Sequence, residues 1–306
     1  MQPGAALSTI GRVVAVTSCK GGVGKSTVSF ELARRLAARG RRVGLYDADI
    51  HGPSLPAQLP AAAAAAGVAV AADGWSMLPL AHEGLALMSF GWLQRLWGGG
   101  RADTLDPRGA GAPGALALQL LHTTAWGALD VLVIDTPPGT GDVPRALAAR
   151  AQLAGAVVVT TPSELATADV VRGLDLLAEF DVPVLAVVEN MATFRCGACG
   201  ADHFPFGRGG ALAEALPAAR AAPTFQLPIV AAAATSDGAA SRRADVLDAL
   251  AGELERATAG AREVELPKLA WHERPYWPDK LFFAGRGAAD RHRADVACTI
   301  SPPVVL

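Results

Sequence analysis

Seven consecutive residues, Gly21, Gly22, Val23, Gly24, Lys25, Ser26 and Thr27, have the composition of a phosphate-binding loop. Glycines let the backbone turn tightly enough for successive N–H groups to face phosphate oxygens. A helix opening at Lys25 would add the partial positive charge of its N-terminus. In such a loop Lys25 reaches the β- and γ-phosphates and Ser26 ligates Mg2+, while Thr27 contacts the α-phosphate. A plain glycine turn carrying a solvated lysine would leave the Gly-Lys-Ser-Thr ending unexplained. The chain has only four lysines, Lys20, Lys25, Lys268 and Lys280, so the pair spaced five apart around this loop calls for a reason.

Three carboxylates can complete a nucleotide site. Asp135 closes the apolar run at 131–134 and is placed to hold Mg2+ through water, while Asp47 and Asp49 follow a second apolar run at 43–46. Each alone reads as a cap or turn residue. Together, at the carboxyl ends of parallel strands where α/β proteins bind ligands, they read as a site. Residues 135–142 (Asp-Thr-Pro-Pro-Gly-Thr-Gly-Asp) interleave stiff and permissive positions, as expected of a switch segment that senses a γ-phosphate.

A third feature is Cys196-Gly197-Ala198-Cys199. A single CxxC is half a zinc site, a redox dithiol or a coincidence. Its place after a strand in a nucleotide-binding fold speaks against a thioredoxin-type role. One chain offers two thiolates where a closed metal site needs four, and a twofold dimer would supply the others. Thiolates suit zinc or an iron–sulfur cluster.

These residues need a scaffold that brings them to one edge. A β-branched strand at 13–17 precedes the glycine loop, an amphipathic helix spans 25–38 before Gly40, and a strand follows at 43–46. Strand, helix, strand is a βαβ unit and implies a parallel sheet covered by helices. Further strands are expected at 131–134, 157–160 and 184–188 and near 225–229, with helices at 115–126, 166–180, 209–216 and 243–255. Residues 75–80 and 85–90 can pair as a hairpin turning at 82–84. The alanine-rich stretch 61–72 fits either a helix or a linker, and 98–114 is glycine-rich and irregular. The expectation is an α/β fold of P-loop NTPase type, with a mostly parallel central sheet and helices on both faces. It would occupy residues 1–260, with 261–306 as a C-terminal appendage for which disorder is one expectation.

Composition narrows the function classes. Of 306 residues 51% are hydrophobic and 18% charged, enough for a core, and the net charge of −2 offers no basic field. Neither nucleic acid nor a membrane is therefore an expected partner. Four cysteines are too few for a disulfide scaffold, and residues 1–10 lack the pattern of a secretory signal. A cytoplasmic location is expected, with an organelle stroma or matrix, its targeting segment missing from this chain, as the alternative.

The string from Lys20 to Thr27 resembles the deviant Walker A motif of the ParA, MinD, nitrogenase iron protein and Mrp group. Four further segments, taken in order, look like the Mrp/ApbC family: Asp47-Ala-Asp-Ile-His-Gly-Pro-Ser54, residues 130–142, Glu189-Asn-Met191 with the cysteine pair, and Phe204-Pro-Phe-Gly-Arg-Gly-Gly210. That resemblance covers about 13–255 and implies a P-loop ATPase that carries a 4Fe–4S cluster to recipient apoproteins. It implies Lys20 reaching across a homodimer to the partner's nucleotide, Asp49 activating the attacking water and Asp47 supporting the metal shell. Asn190 would contact the adenine, and Cys196 and Cys199 of both subunits would hold the cluster. The family's Arg-Gly-Pro is here Arg108-Gly109-Ala110, and Cys19 stands where glycine is frequent. Two rival readings are a spatial-organising ATPase of the ParA/MinD kind and an ATPase with a structural zinc at the cysteines.

Overall fold

The computed structural model describes residues 9–71, 73, 76–96, 113–209, 222–230 and 238–266. The first third forms β1 (Thr9–Ile10), β2 (Val13–Thr17), α1 (Lys25–Ala38), β3 (Val43–Asp47), α2 (Leu55–Gln58) and α3 (Ala61–Ala66). Next come β4 (Ala69–Val70), β5 (Met77–Leu78), β6 (Leu80–His82), β7 (Leu85–Ser89), α4 (Phe90–Leu96), α5 (Pro113–Thr123) and β8 (Ala128–Leu129). The remainder is β9 (Val131–Asp135), α6 (Asp142–Arg150), β10 (Gly155–Thr160), α7 (Glu164–Glu179), β11 (Val184–Arg195) and β12 (Asp202–His203). It closes with β13 (Thr224–Ile229), α8 (Gly238–Ala257) and β14 (Val264–Glu265).

The central sheet runs β12-β11-β10-β2-β9-β3-β7-β6, with β13 also paired to β11. Every pairing from β11 to β7 is parallel, and only the edge strands β12 and β6 run antiparallel. Strands β2, β3, β9 and β10 are buried at every position, as a sheet covered on both faces requires. Alternation along the strands divides the core. Val14, Val16, Val131 and Val133 pack with Val28, Leu32 and Leu36 of α1 and with Leu247, Leu250 and Leu254 of α8. On the opposite face Leu132 and Ile134 meet Leu120, Leu121 and Leu147, and Ala15 meets Val170 and Leu174 of α7. The expected mostly parallel sheet with helices on both faces is the observed fold.

The sheet places the carboxylates as the sequence suggests. β9 lies between β2 and β3, so Asp135 sits opposite Val16 on one side and opposite Asp47 on the other. A hairpin forms between β6 and β7, but its first strand is Leu80–His82 rather than the expected 75–80. It turns on Glu83 and Gly84, both with positive φ (47° and 76°), and β5, inside the expected strand, pairs with β4 instead. Other boundaries differ as well. The alanine stretch resolves into the short helix α3 followed by β4, which pairs with β5. β11 does not stop at Val188 but continues to Arg195, because Glu189 and Asn190, which interrupt its apolar run, are buried with partners. β14 pairs with β1, with Val264 and Leu266 buried, so ordered packing extends past residue 260 to Leu266. The helix expected at 209–216, most of 98–114, Cys298 and residues 267–306 lie outside the described residues.

Candidate functional site

The glycine loop leaves β2 and enters α1 through Gly24, whose φ of +83° strains any residue with a side chain. Space forbids one as well: a Cβ there would come 2.3 Å from Nδ2 of Asn190. Asn190, on β11, donates from Nδ2 to the Val23 carbonyl at 2.8 Å. Its Oδ1 accepts from Nη1 of Arg243 on α8 at 3.0 Å. Asn190 thus braces the loop from below. Both ends of its amide are engaged inside the protein, so the expected adenine contact would compete with this brace.

Arg243 was not singled out by sequence reasoning, and no local pattern marks it. Its guanidinium also donates to Glu31 of α1 and to the Pro228 carbonyl at 3.0 Å. The group links α1, β11, β13 and α8 around the loop, with its side chain only 12% exposed. Arg243→Met should cost about 1–3 kcal/mol, below the cost of breaking a fully buried pair because Glu31 is partly exposed. Nucleotide affinity should fall severalfold as Asn190 loosens. Chemical denaturation and nucleotide titration check the two effects separately.

Within the loop, Lys25 and Asp135 form a buried ion pair, Nζ to Oδ1 2.5 Å, with side-chain exposures of 7% and 4%. Ser29, one helical turn beyond Lys25, donates to the same oxygen at 2.9 Å. Ser26 Oγ lies 3.4 Å from Lys25 Nζ. The expected phosphate-binding cation and metal-holding carboxylate are therefore neighbours. Thr27, Gly21, Gly22 and Lys20 are exposed at the loop, Lys20 bonded through its carbonyl to Ser18. Cys19 packs against α7, where a Cβ on Gly173 would meet its sulfur, and burial pushes its thiol up. That packing accounts for a small residue at this position.

Asp47 is fully buried. Its Oδ2 accepts from Ser54 N and Leu55 N at 2.9 Å each and from Ser89 Oγ at 3.0 Å, and its Oδ1 accepts from Asp49 N at 3.2 Å. Burial first, and the Asp135 carboxylate second, push its pKa up to about 6 against these donors. Asp47 thus caps α2 and shapes the loop that presents Asp49. Asp49 is half-buried and closes its own turn, its Oδ1 accepting from Gly52 N at 2.9 Å. Residues 136–141 pass beside the glycine loop, with Gly139 N donating to the Ser18 carbonyl at 2.7 Å.

The cysteine pair sits on a second structure built from the same strand. β11 pairs antiparallel with β12, Phe194 opposite His203 and Arg195 opposite Asp202. Between them Cys196 N donates to the Ala201 carbonyl and Gly200 N to the Cys196 carbonyl, both at 2.9 Å. Gly200, at φ +69°, turns the chain back. Backbone N–H groups of Cys199 and Ala198, then the Cys199 thiol, face the Cys196 sulfur and hold its thiol below the usual range. The ligand atoms of Cys196, Cys199 and His203 all lie within 4.8 Å of one another. That donor set fits a thiophilic metal or cluster. His203 escaped sequence reasoning, although its position four residues after Cys199 was a usable signal.

No helix among the described residues is long and apolar enough to cross a membrane. A family described as ParA: NUBPL iron-transfer P-loop NTPase matches residues 9–244. The chloroplastic Fe-S cluster assembly factor HCF101 of Arabidopsis thaliana is 45% identical over 203 residues, 66% of this chain and 36% of that protein. The iron-sulfur cluster carrier protein of Escherichia coli strain K12 is 43% identical over 210 residues, 69% of this chain and 54% of that protein. The chain thus spans about half the length of the bacterial relative and about a third of the plant one. A nucleotide-binding protein of Archaeoglobus fulgidus, solved in complex with ADP, is similar with a TM-score of 0.59 and 32% identity, covering 87% of this chain and 95% of that chain.

Proposed function

This chain belongs to the NUBPL iron-transfer P-loop NTPases of the ParA family, and from that membership we propose that it carries a 4Fe–4S cluster to recipient apoproteins as an ATP-dependent homodimer. The observation that supports this most is the double duty of β11. Asn190 on this strand bonds the nucleotide loop, and four and five residues later Phe194 and Arg195 hold the hairpin bearing Cys196, Cys199 and His203. A change at the nucleotide loop therefore has a short covalent route to the cluster ligands. Linkage of this kind is reciprocal: a nucleotide that alters cluster affinity has its own affinity altered equally.

In this reading Lys25 leaves Asp135 to hold the β- and γ-phosphates, while Ser26 and Asp135 hold Mg2+, with Asp47 behind them. Mg2+ supplies charge neutralisation across the phosphates. Thr27 takes the α-phosphate and Asp49 orients the attacking water. Lys20, exposed at the start of the loop, serves the partner's γ-phosphate. Hydrolysis is slow and coupled to transfer. Cys199 is exposed, as a cluster shared between two chains requires. The proposed location is the cytoplasm, or an organelle stroma or matrix.

Lys20→Ala should leave ATP binding nearly unchanged yet lower hydrolysis by about tenfold or more, since a charge supplied in trans acts on the transition state. Steady-state phosphate release compared with nucleotide titration checks this, and full turnover in the variant would contradict a trans-acting lysine. The carrier function itself is tested by reconstituting the full chain anaerobically and mixing it with an apoprotein that requires a 4Fe–4S cluster. Recovery of the acceptor's spectrum, faster with ATP and Mg2+, is the expected result. An acceptor that stays empty in the presence of loaded chain would refute it.

A further inference from the structure

The cysteine hairpin carries one more donor than a cluster shared by four thiolates needs. His203 is directed by strand pairing, since it stands opposite Phe194 in the β11–β12 ladder. Its neighbour Asp202 points to the other face, where Arg195 and Arg242 each approach its carboxylate at 3.7 Å. The imidazole is therefore free of that acid and stands with the two sulfurs inside a 4.8 Å span. Tetrahedral ligand atoms about 2.0–2.3 Å from a zinc-like ion stand roughly 3.3–3.8 Å apart. Side-chain rotation of about 1 Å, small for surface groups, closes the set. The loop is already shaped for it, with two backbone bonds fixing its ends and two N–H groups aimed at the Cys196 sulfur.

We propose that Cys196, Cys199 and His203 of a single chain hold one divalent transition-metal ion of the Zn2+ or Fe2+ class, leaving the fourth coordination position open. The inference rests on the reading of this hairpin as the metal-handling part of the chain and adds a state that needs no second subunit. Both thiols release their protons to solvent on binding, the imidazole donates a neutral nitrogen lone pair, and no electron is transferred. In the unpaired chain the imidazole occupies coordination space that the partner's thiolates take in the proposed dimer. Single-ion binding and cluster binding then exclude each other.

The test is an anaerobic Co2+ titration of the full chain, followed by visible absorption, with the state of association measured by sedimentation. One Co2+ per monomeric chain is expected, with thiolate-to-cobalt charge transfer and the intense d–d bands of tetrahedral sites. His203→Ala should weaken binding by about 10–100-fold and change the d–d bands, at least the effect of losing a group that merely supports a ligand. His203→Gln, which preserves size and polarity, should behave the same way. Unchanged affinity and bands in both variants, one Co2+ shared by two chains, or no Co2+ bound by the wild type would each overturn the proposal. Iron and sulfide reconstitution of the same variants is read separately. A cluster retained without His203 and lost without the cysteines supports the carrier reading however the cobalt result falls.

Discussion

Replacing Lys25 with alanine is expected to weaken ATP binding by roughly 100-fold, the size of one lost charge-assisted contact to phosphate. It should also destabilise the fold, which is less usual for a binding-site residue. The reason is the geometry of the pair: Lys25 Nζ lies 2.5 Å from Asp135 Oδ1, and both side chains are almost fully buried. Removing the cation leaves a buried carboxylate with Ser29 as its remaining side-chain donor. Stranding one partner of a buried pair costs about 3–5 kcal/mol. Chemical denaturation beside nucleotide titration checks both expectations. A double variant, Lys25→Met with Asp135→Leu, should recover most of the stability and none of the ATP binding. A variant of Lys25 that kept full stability would contradict the pairing.

The second large effect belongs to the cysteines. The wild-type chain reconstituted with iron and sulfide under anaerobic conditions should hold about two of each per chain, as a 4Fe–4S cluster shared by two subunits requires. Cys196→Ala combined with Cys199→Ala should reduce both to background. Stability should change by less than about 1 kcal/mol, because the hairpin lies outside the packed core. ATP binding should be retained, since β11 and the Asn190 brace remain intact. This combination distinguishes a lost ligand from a lost fold. Equal iron and sulfide in variant and wild type would remove the cluster from this site.

Much of the site was legible in the sequence because its pieces are contiguous. The glycine loop, the Asp47 and Asp49 pair and the CxxC each sit within a few residues, where composition and spacing carry the chemistry. The strands behind them were legible for a related reason. A sheet covered on both faces must be apolar at every position, so the runs before Asp47 and Asp135 stand out. Where polar residues entered a strand the signal failed. β11 was expected to end at Val188, yet Glu189 and Asn190 are carried inside it by Gln226, Val23 and Arg243.

The amino-acid order by itself therefore determined the fold class and the places of the glycine loop, the strand-end acids and the paired thiols. Tertiary structure alone decided their partners. Lys25 meets Asp135 across 110 residues and Arg243 meets Glu31 across 212. Neither pairing leaves a local trace, because each depends on which strands are neighbours in the sheet and which helices lie over them. His203 stands between the two cases. Its spacing from Cys199 was visible in the chain, but only the antiparallel register of β11 and β12 brings its imidazole beside two sulfurs as a third candidate donor.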